Sequence, residues 1–400
     1  GRILMGSMAS SCLTGLAVFL VEPPPWLSKA RLGLLANQAS VTAELEPAWL
    51  ALARRYPGRL KVIFSPQHGL FSEKQDNMVP SADGVEPVTG LPVVSLYGER
   101  LQPTPENLAQ VDVLLIDLPE VGTRVYTFGA TMAYTLQAAG AAGKKVVILD
   151  RPNPIGGEQV EGNLLRPEMA SIVGPYPLPM RHGFTLGELA LYYREVGRIE
   201  VELEVIRMRG WQRSQYFDTT GLPWILPSPN MPTLDTALVY PGQVLLEGTN
   251  LSEGRGTTRP FELWGAPFLE PEAILAALKA DGDLPGLTLR PTCFQPTFHK
   301  WAGEVCRGFQ LHIQDRSRFK PYATTLALLR VILQLYPRQF QWRQPPYEYD
   351  YVRLPFDLLT GDPVLRQGLE RGQTIAALEA AWQPELAAFL DQRQAYLLYP

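Results

Sequence analysis

The chain has 400 residues, 46% of them hydrophobic, which is enough for two domains or for one large and one small,. With 36 basic against 40 acidic residues the formal charge is -4, so there is no basic footprint for nucleic acid, and no stretch reaches the roughly 20 apolar residues of a membrane span,. Three cysteines without a close pair indicate neither a disulfide framework nor a zinc site, and Cys293 and Cys306 are expected as plain thiols,.

Residues 13–21 (LTGLAVFLV) lead directly into a Pro-rich turn. They are read as the approach to the first strand rather than as a trimmed signal peptide, so a cytoplasmic chain is expected, with export as the alternative,. Residues 31–36 (RLGLLA) form a strand ending in Asn37 and a polar loop, and 42–56 a helix with Thr42 as N-cap,. The strand at 60–64 (LKVIF) ends in Ser65-Pro66-Gln67-His68-Gly69, and 91–96 (LPVVSL) ends in Tyr97-Gly98. Residues 111–116 and 146–149 are apolar without alternation, as in strands covered on both faces,. The small, apolar residues of 126–142 form the helix between them, stopping at Gly143,.

This alternation calls for a doubly wound α/β fold, Rossmann-like, with a mostly parallel sheet. Residues 156–181 make a Pro/Gly-rich excursion. A helix over 185–196 carries Thr185 and Glu188 in capping-box positions, and 200–207 is a further strand,. Near Pro260 the pattern changes: 287–315 is strand-like, while 321–336 and 373–397 are helical. A Rossmann-like domain over 1–259 and a smaller α+β domain over 260–400 are expected.

Ligands of open α/β sheets bind beyond the carboxyl ends of the strands, which directs attention to the polar residues there. GxGxxG, GxxxxGK[ST], HExxH and GxSxG are all absent, so dinucleotide, nucleoside triphosphate, zinc-protease and serine-esterase chemistries lack their motifs,. What remains is acidic. Glu73, Asp76, Asp117, Glu120 and Asp150 each follow a strand, and Glu247 and Glu253 stand in EGTNLSEGRGT (247–257). Ordinary turns do not need three glycines, two acids and an arginine together, and Arg255 there could clamp a carboxylate. Glycosidic bond cleavage needs a protonated acid at the leaving oxygen, plus a second carboxylate or the substrate's own acetamido group. Tyr126 and Trp224 are either sugar-stacking platforms or plain core.

Several long segments carry a resemblance: RLGLLANQASV, FSPQHG, PVVSLYGE, DLPEVGTRVYTF, DRPNPIGG, PMRHGFTLGELA, PSPNMPT, YPGQVLLEGTNLSEGRGT, FDLLTG and YLLYP. Over nearly its whole length the chain resembles the exo-β-N-acetylmuramidases (NamZ-like peptidoglycan hexosaminidases). The resemblance implies a Rossmann-like domain, an auxiliary domain and a cleft between them. It also implies removal of N-acetylmuramic acid from the non-reducing end of peptidoglycan fragments, with neither metal nor cofactor. The partner would be a peptidoglycan-derived saccharide, and the chain a monomer or homodimer.

One position departs from the family pattern. Where much of the family has Pro-Glu-His-Gly, this chain has Gln67, an amide that cannot supply a proton. The expected acid is therefore Glu73 in the same loop, with Asp117 and Glu120 next and His68 orienting the acid or touching the sugar. Arg124, Arg181 or Arg255 would neutralise the lactyl carboxylate. Asn37, Tyr126, Asp150, Asn153, His182, Asn230, Glu247, Asn250 and Glu253 complete the expected substrate contacts. The rival reading, prompted by Gln67, is a non-catalytic binder of cell-wall sugars.

Overall fold

The computed structural model describes residues 11–75, 77–80 and 82–400. The apolar stretch after Thr14 is helix α1 (Gly15–Val21), started by the Thr14 hydroxyl accepting from the Ala17 amide at 3.2 Å,. Gly15 is required there, because a Cβ would stand 2.2 Å from the Asp150 backbone nitrogen. The first half continues through β1 (Leu32–Ala36), α2 (Ala48–Arg55), β2 (Leu60–Ser65), β3 (Gly84–Val85), β4 (Pro92–Ser95), α3 (Pro105–Ala109), β5 (Val113–Asp117), α4 (Thr127–Ala141) and β6 (Lys145–Leu149). A two-stranded antiparallel ribbon, β7 (Glu161–Leu164) with β8 (Pro179–Arg181), precedes α5 (Leu186–Val196) and β9 (Glu202–Ile206).

The large sheet runs β3-β4-β2-β1-β5-β6-β9, parallel throughout except for β3 at the edge. Counting only the parallel strands, the order is 3-2-1-4-5-6, the Rossmann arrangement, with its switch point between β1 and β5,. Alternation explains the two layers. Leu32, Leu34 and Ala36 face a core shared with α1 and α2, while Leu35 faces the core built on α4 and α5,. That second core continues into the other half of the chain, through Leu245, Trp264, Tyr322, Leu329 and Phe356.

The second half comprises α6 (Leu234–Gln243), β10 (Leu263–Ala266), α7 (Pro271–Asp281), β11 (Leu287–Phe294), β12 (Cys306–Ile313), α8 (Pro321–Leu335), α9 (Pro355–Thr360), α10 (Pro363–Glu370) and α11 (Ile375–Arg393). Its sheet is antiparallel, β10-β12-β11. The chain then returns to the first half. The Leu398 amide donates to Glu188 Oε2 at 2.7 Å, the Tyr399 hydroxyl to Asp150 Oδ2 at 2.5 Å, and the Arg213 amide to the Pro400 carbonyl at 2.8 Å.

The Rossmann-like α/β class and its α+β companion are as expected, and the capping box of Thr185 with Glu188 is formed. Three local expectations need correction. Thr42 does not cap α2; its hydroxyl accepts from the Glu46 amide in a turn, and the helix begins only after Pro47. The 156–181 excursion contains the β7–β8 ribbon. The terminal helix stops at Arg393 and tightens into a 3-10 turn over Gln394–Tyr396. Among the described residues no helix is long and apolar enough to cross a membrane, and all three cysteines are free thiols.

Candidate active site

Beyond the carboxyl ends of β2 and β4 lies a polar hollow with about 440 Å³ of empty space, open to solvent. Gln67 and His68 reach it from the end of β2, and Tyr126 and Thr127 from the start of α4. Ser228, Asn230 and Met231 come from the loop before α6, and Tyr240 from α6 itself. Glu247 arrives on the 3-10 turn Val244–Gly248, Arg255 from the glycine-rich loop, and Tyr347 with Glu348 from a distant segment.

Gln67 is fixed on both ends of its amide. Its Oε1 accepts from Thr127 Oγ1 at 2.5 Å, and its Nε2 donates to Tyr97 Oη at 3.1 Å and Glu348 Oε1 at 3.2 Å. The Tyr97 hydroxyl donates to Glu348 Oε2. Burial, reinforced by the charge of Glu247, pushes the Glu348 carboxyl up to about 7, against the opposing hydrogen bonds of Tyr97 and Gln67 and the charge of Arg255,. His68, Glu348 and Tyr349 all adopt left-handed backbone, with φ of 73°, 48° and 62°. Such strain persists only where the surroundings over-determine the pose, as they do at ligand sites.

Glu247 occupies the opposite environment. It accepts from Arg255 Nη2 and from the Tyr347 hydroxyl, so a full cation balances its charge. Behind it, Glu253 is buried against Lys300 Nζ at 2.6 Å, Arg255 Nε at 3.3 Å and His299 Nδ1 at 3.5 Å. Burial opposes its ionisation, yet Lys300, His299 and Arg255 hold it well below the ordinary value. Arg255 Nη1 has no hydrogen-bond acceptor among the described residues. The hollow thus contains one carboxyl group able to carry a proton near neutrality and one whose charge is matched.

The residues singled out in the sequence divide sharply. Gln67, His68, Tyr126, Asn230, Glu247 and Arg255 line the hollow, and Glu253 supports it from behind. Glu73 does not line it and is exposed. Asp76 lies outside the described residues. Asp117 is fully buried and paired with Arg151. Glu120 caps its own loop, accepting from the Val121 and Gly122 amides at 3.0 and 2.7 Å. Asp150 is consumed by Thr185, Gly187 and Tyr399, and burial raises it to about 6 against those bonds.

The remaining polar residues hold backbone in place. Arg124 bonds only carbonyl oxygens, of Leu178 at 3.0 Å, Leu359 at 2.5 Å and Asn163 at 3.4 Å, and burial draws its guanidinium down to about 10. Arg181 bonds Gln159 and the Ile155 carbonyl, and His182 accepts from the Phe184 amide. Asn37 anchors the Pro227 carbonyl, Asn153 that of Phe184, and Asn250 that of Gln339. The rim acids therefore do not gather around one hollow. Of those following β5 and β6, Glu120 lines a separate, largely apolar cavity walled by prolines, Phe217 and Trp224, whereas Asp117 and Asp150 are fully buried.

Among the polar residues of the hollow, Asn77, Ser228, Tyr240, Thr127, Tyr347 and Glu348 were not singled out from the sequence, nor was Tyr97, which holds Gln67 and Glu348; Tyr347 and Glu348 come from a distant segment. The only local signal for the last two is PPYEYD at 345–350, two acids interleaved with tyrosines after a proline pair.

A carboxyl group raised to about 7 beside one paired with a cation, in a polar recess, is an arrangement suited to glycoside hydrolysis,. Residues 32–235 match the family model described as exo-beta-N-acetylmuramidase NamZ, N-terminal, and residues 238–399 its C-terminal counterpart. The chain belongs to the exo-β-N-acetylmuramidase NamZ family. It is 40% identical over 386 residues to the peptidoglycan beta-N-acetylmuramidase NamZ of Bacillus subtilis (strain 168), spanning 96% of this chain and 91% of that protein. Two solved DUF1343 family proteins of Bacteroides fragilis NCTC 9343 share the fold. One has a TM-score of 0.87 at 30% identity, covering 98% of this chain and 99% of that one; the other has a TM-score of 0.76 at 26% identity with the same coverage.

Proposed function

We propose that the chain hydrolyses the β-glycosidic bond of a terminal N-acetylmuramic acid at the non-reducing end of peptidoglycan fragments, with Glu348 as general acid. The single observation that carries the assignment is the buried Glu348 carboxyl, raised to about 7 and held by Gln67 and Tyr97 inside the hollow. At neutral pH a large share of it carries the proton that the leaving oxygen needs. Gln67 moves no proton here. Clamped by Thr127, its amide turns an N–H toward Glu348 and fixes the direction in which the acid points.

As the bond breaks, positive charge grows on the sugar ring. Glu247, or the acetamido oxygen of the substrate itself, faces that charge. The Nη1 donor of Arg255, which has no acceptor among the described residues, suits the lactyl carboxylate,. Asn230 offers an amide to the ring substituents. Three free thiols suit a reducing compartment, and a cytoplasmic setting accompanies the proposal,.

Chromophore release tests it. A nitrophenyl N-acetylmuramide should be cleaved and the matching glucosaminide left intact. The opposite preference would overturn the assignment of Arg255, and tight binding of muramic acid without any product would replace hydrolase with sugar binder.

A further inference from the structure

On the other side of the segment that carries Glu247 lies an open groove with about 910 Å³ of empty space, lined among others by Trp301, Trp342, Arg343 and Gln344. We propose that this groove is a second saccharide subsite, taking a further, carboxylate-bearing amino sugar of the same glycan whose end occupies the hollow. The inference rests on the exo-muramidase reading for the identity of the glycan.

Three observations carry it. The two tryptophans are partly exposed, and both indole N–H groups are already committed, Trp301 to the Asn250 carbonyl at 2.6 Å and Trp342 to Glu370 Oε1 at 3.0 Å. Their rings are therefore held in fixed orientations, as stacking platforms require. Arg343 lies over the Tyr347 ring, 5.5 Å from its centroid, and no carboxylate among the described residues is within ion-pair distance of it. Its neighbour Lys300 is spent on Glu253 and two carbonyls, so Arg343 supplies the groove's open positive charge.

Proximity to the hollow is the third observation. Glu247 lines one recess and Thr249 the other, and two residues span at most about 7 Å,. Thr249 bridges Trp342, and the Gly248 carbonyl accepts from the Arg343 amide at 2.9 Å, so one short stretch of backbone forms the wall between them. His299 and Trp301 hold left-handed backbone, φ 69° and 58°, adding local strain of the kind that collects at binding sites,. Aromatic faces with a lone cation and amides fit a sugar ring with an acidic substituent better than a neutral sugar or an apolar ligand.

Calorimetry on the full chain in the Glu348→Gln background decides it. The probes are N-acetylmuramic acid alone, a tetrasaccharide of alternating N-acetylglucosamine and N-acetylmuramic acid, and neutral chitotetraose. The alternating tetrasaccharide should bind more tightly than the monosaccharide. Arg343→Gln and Trp301→Leu should each remove roughly threefold to tenfold of that gain, as expected for a partly exposed charge or ring contact, while monosaccharide affinity stays the same. A gain that survives both substitutions overturns the subsite. An equal loss for chitotetraose on Arg343→Gln overturns the carboxylate. Because binding rather than turnover is read, failure of the nitrophenyl muramide assay would sink the functional reading and leave this result decisive about the groove.

Discussion

Replacing Glu348 with Gln should move activity and stability in opposite directions. The folded chain holds the Glu348 proton up to about 7, whereas an ordinary glutamate releases it near 4.5. Between those values the folded state binds more protons than the unfolded one, so stability falls as pH rises through that window and is lowest above 7. At 1.36 kcal/mol per tenfold change in proton affinity, the accumulated penalty between pH 5 and pH 8 is about 2 to 3 kcal/mol. Glutamine keeps the shape and has no proton to lose, so the variant should gain about that much on wild type at pH 8 relative to pH 5. Turnover should fall by a factor of roughly 10²–10⁴, as for loss of a general acid. Urea unfolding at the two pH values and nitrophenol release read the two quantities. Turnover within tenfold of wild type, or an identical stability difference at both pH values, would refute the reasoning.

Gln67→Glu should place a second carboxyl beside Glu348, so that the pair shares a proton and the alkaline limb of the pH–rate profile moves above about 7; an unmoved limb would mean that the two groups do not interact. Arg255→Met leaves Glu247 and Glu253 short of a cation and should cost about 3–5 kcal/mol in chemical unfolding, with Arg255→Lys recovering only part because it lacks the planar fork. Arg124→Met should lower stability by about 3 kcal/mol or more, since three carbonyls lose their donor,. It should leave KM for the muramide unchanged, and a raised KM would return Arg124 to the substrate. Tyr399→Phe should cost about 1–3 kcal/mol, more above pH 6 than below, because burial holds Asp150 protonated until about 6 and the tyrosine favours its charged form,. A pH-independent loss would contradict that.

The parallel strands were legible because β1 and β5 are buried on both faces and so read as unbroken apolar runs bounded by polar loops. EGTNLSEGRGT announced itself through composition, and Glu247 and Arg255 do line the hollow. The rim acids misled for a definite reason. Sequence shows that an acid ends a strand, but not that Arg151 claims Asp117 or that the start of α5 claims Asp150. Glu348 was illegible for the complementary reason. Its partner Gln67 is 281 positions away, and its raised proton affinity comes from burial and from Glu247, neither of which has a local signature. The strand at Gly84–Val85 and the β7–β8 ribbon were missed because two to four residues are too few to show a period,.

The closing hydrogen bonds of residues 398–400 on Glu188, Asp150 and Arg213 set an order of events during synthesis. A ribosome that has released only the Rossmann half has made a sheet whose rim still lacks three partners, so that half should mature only after the rest has emerged.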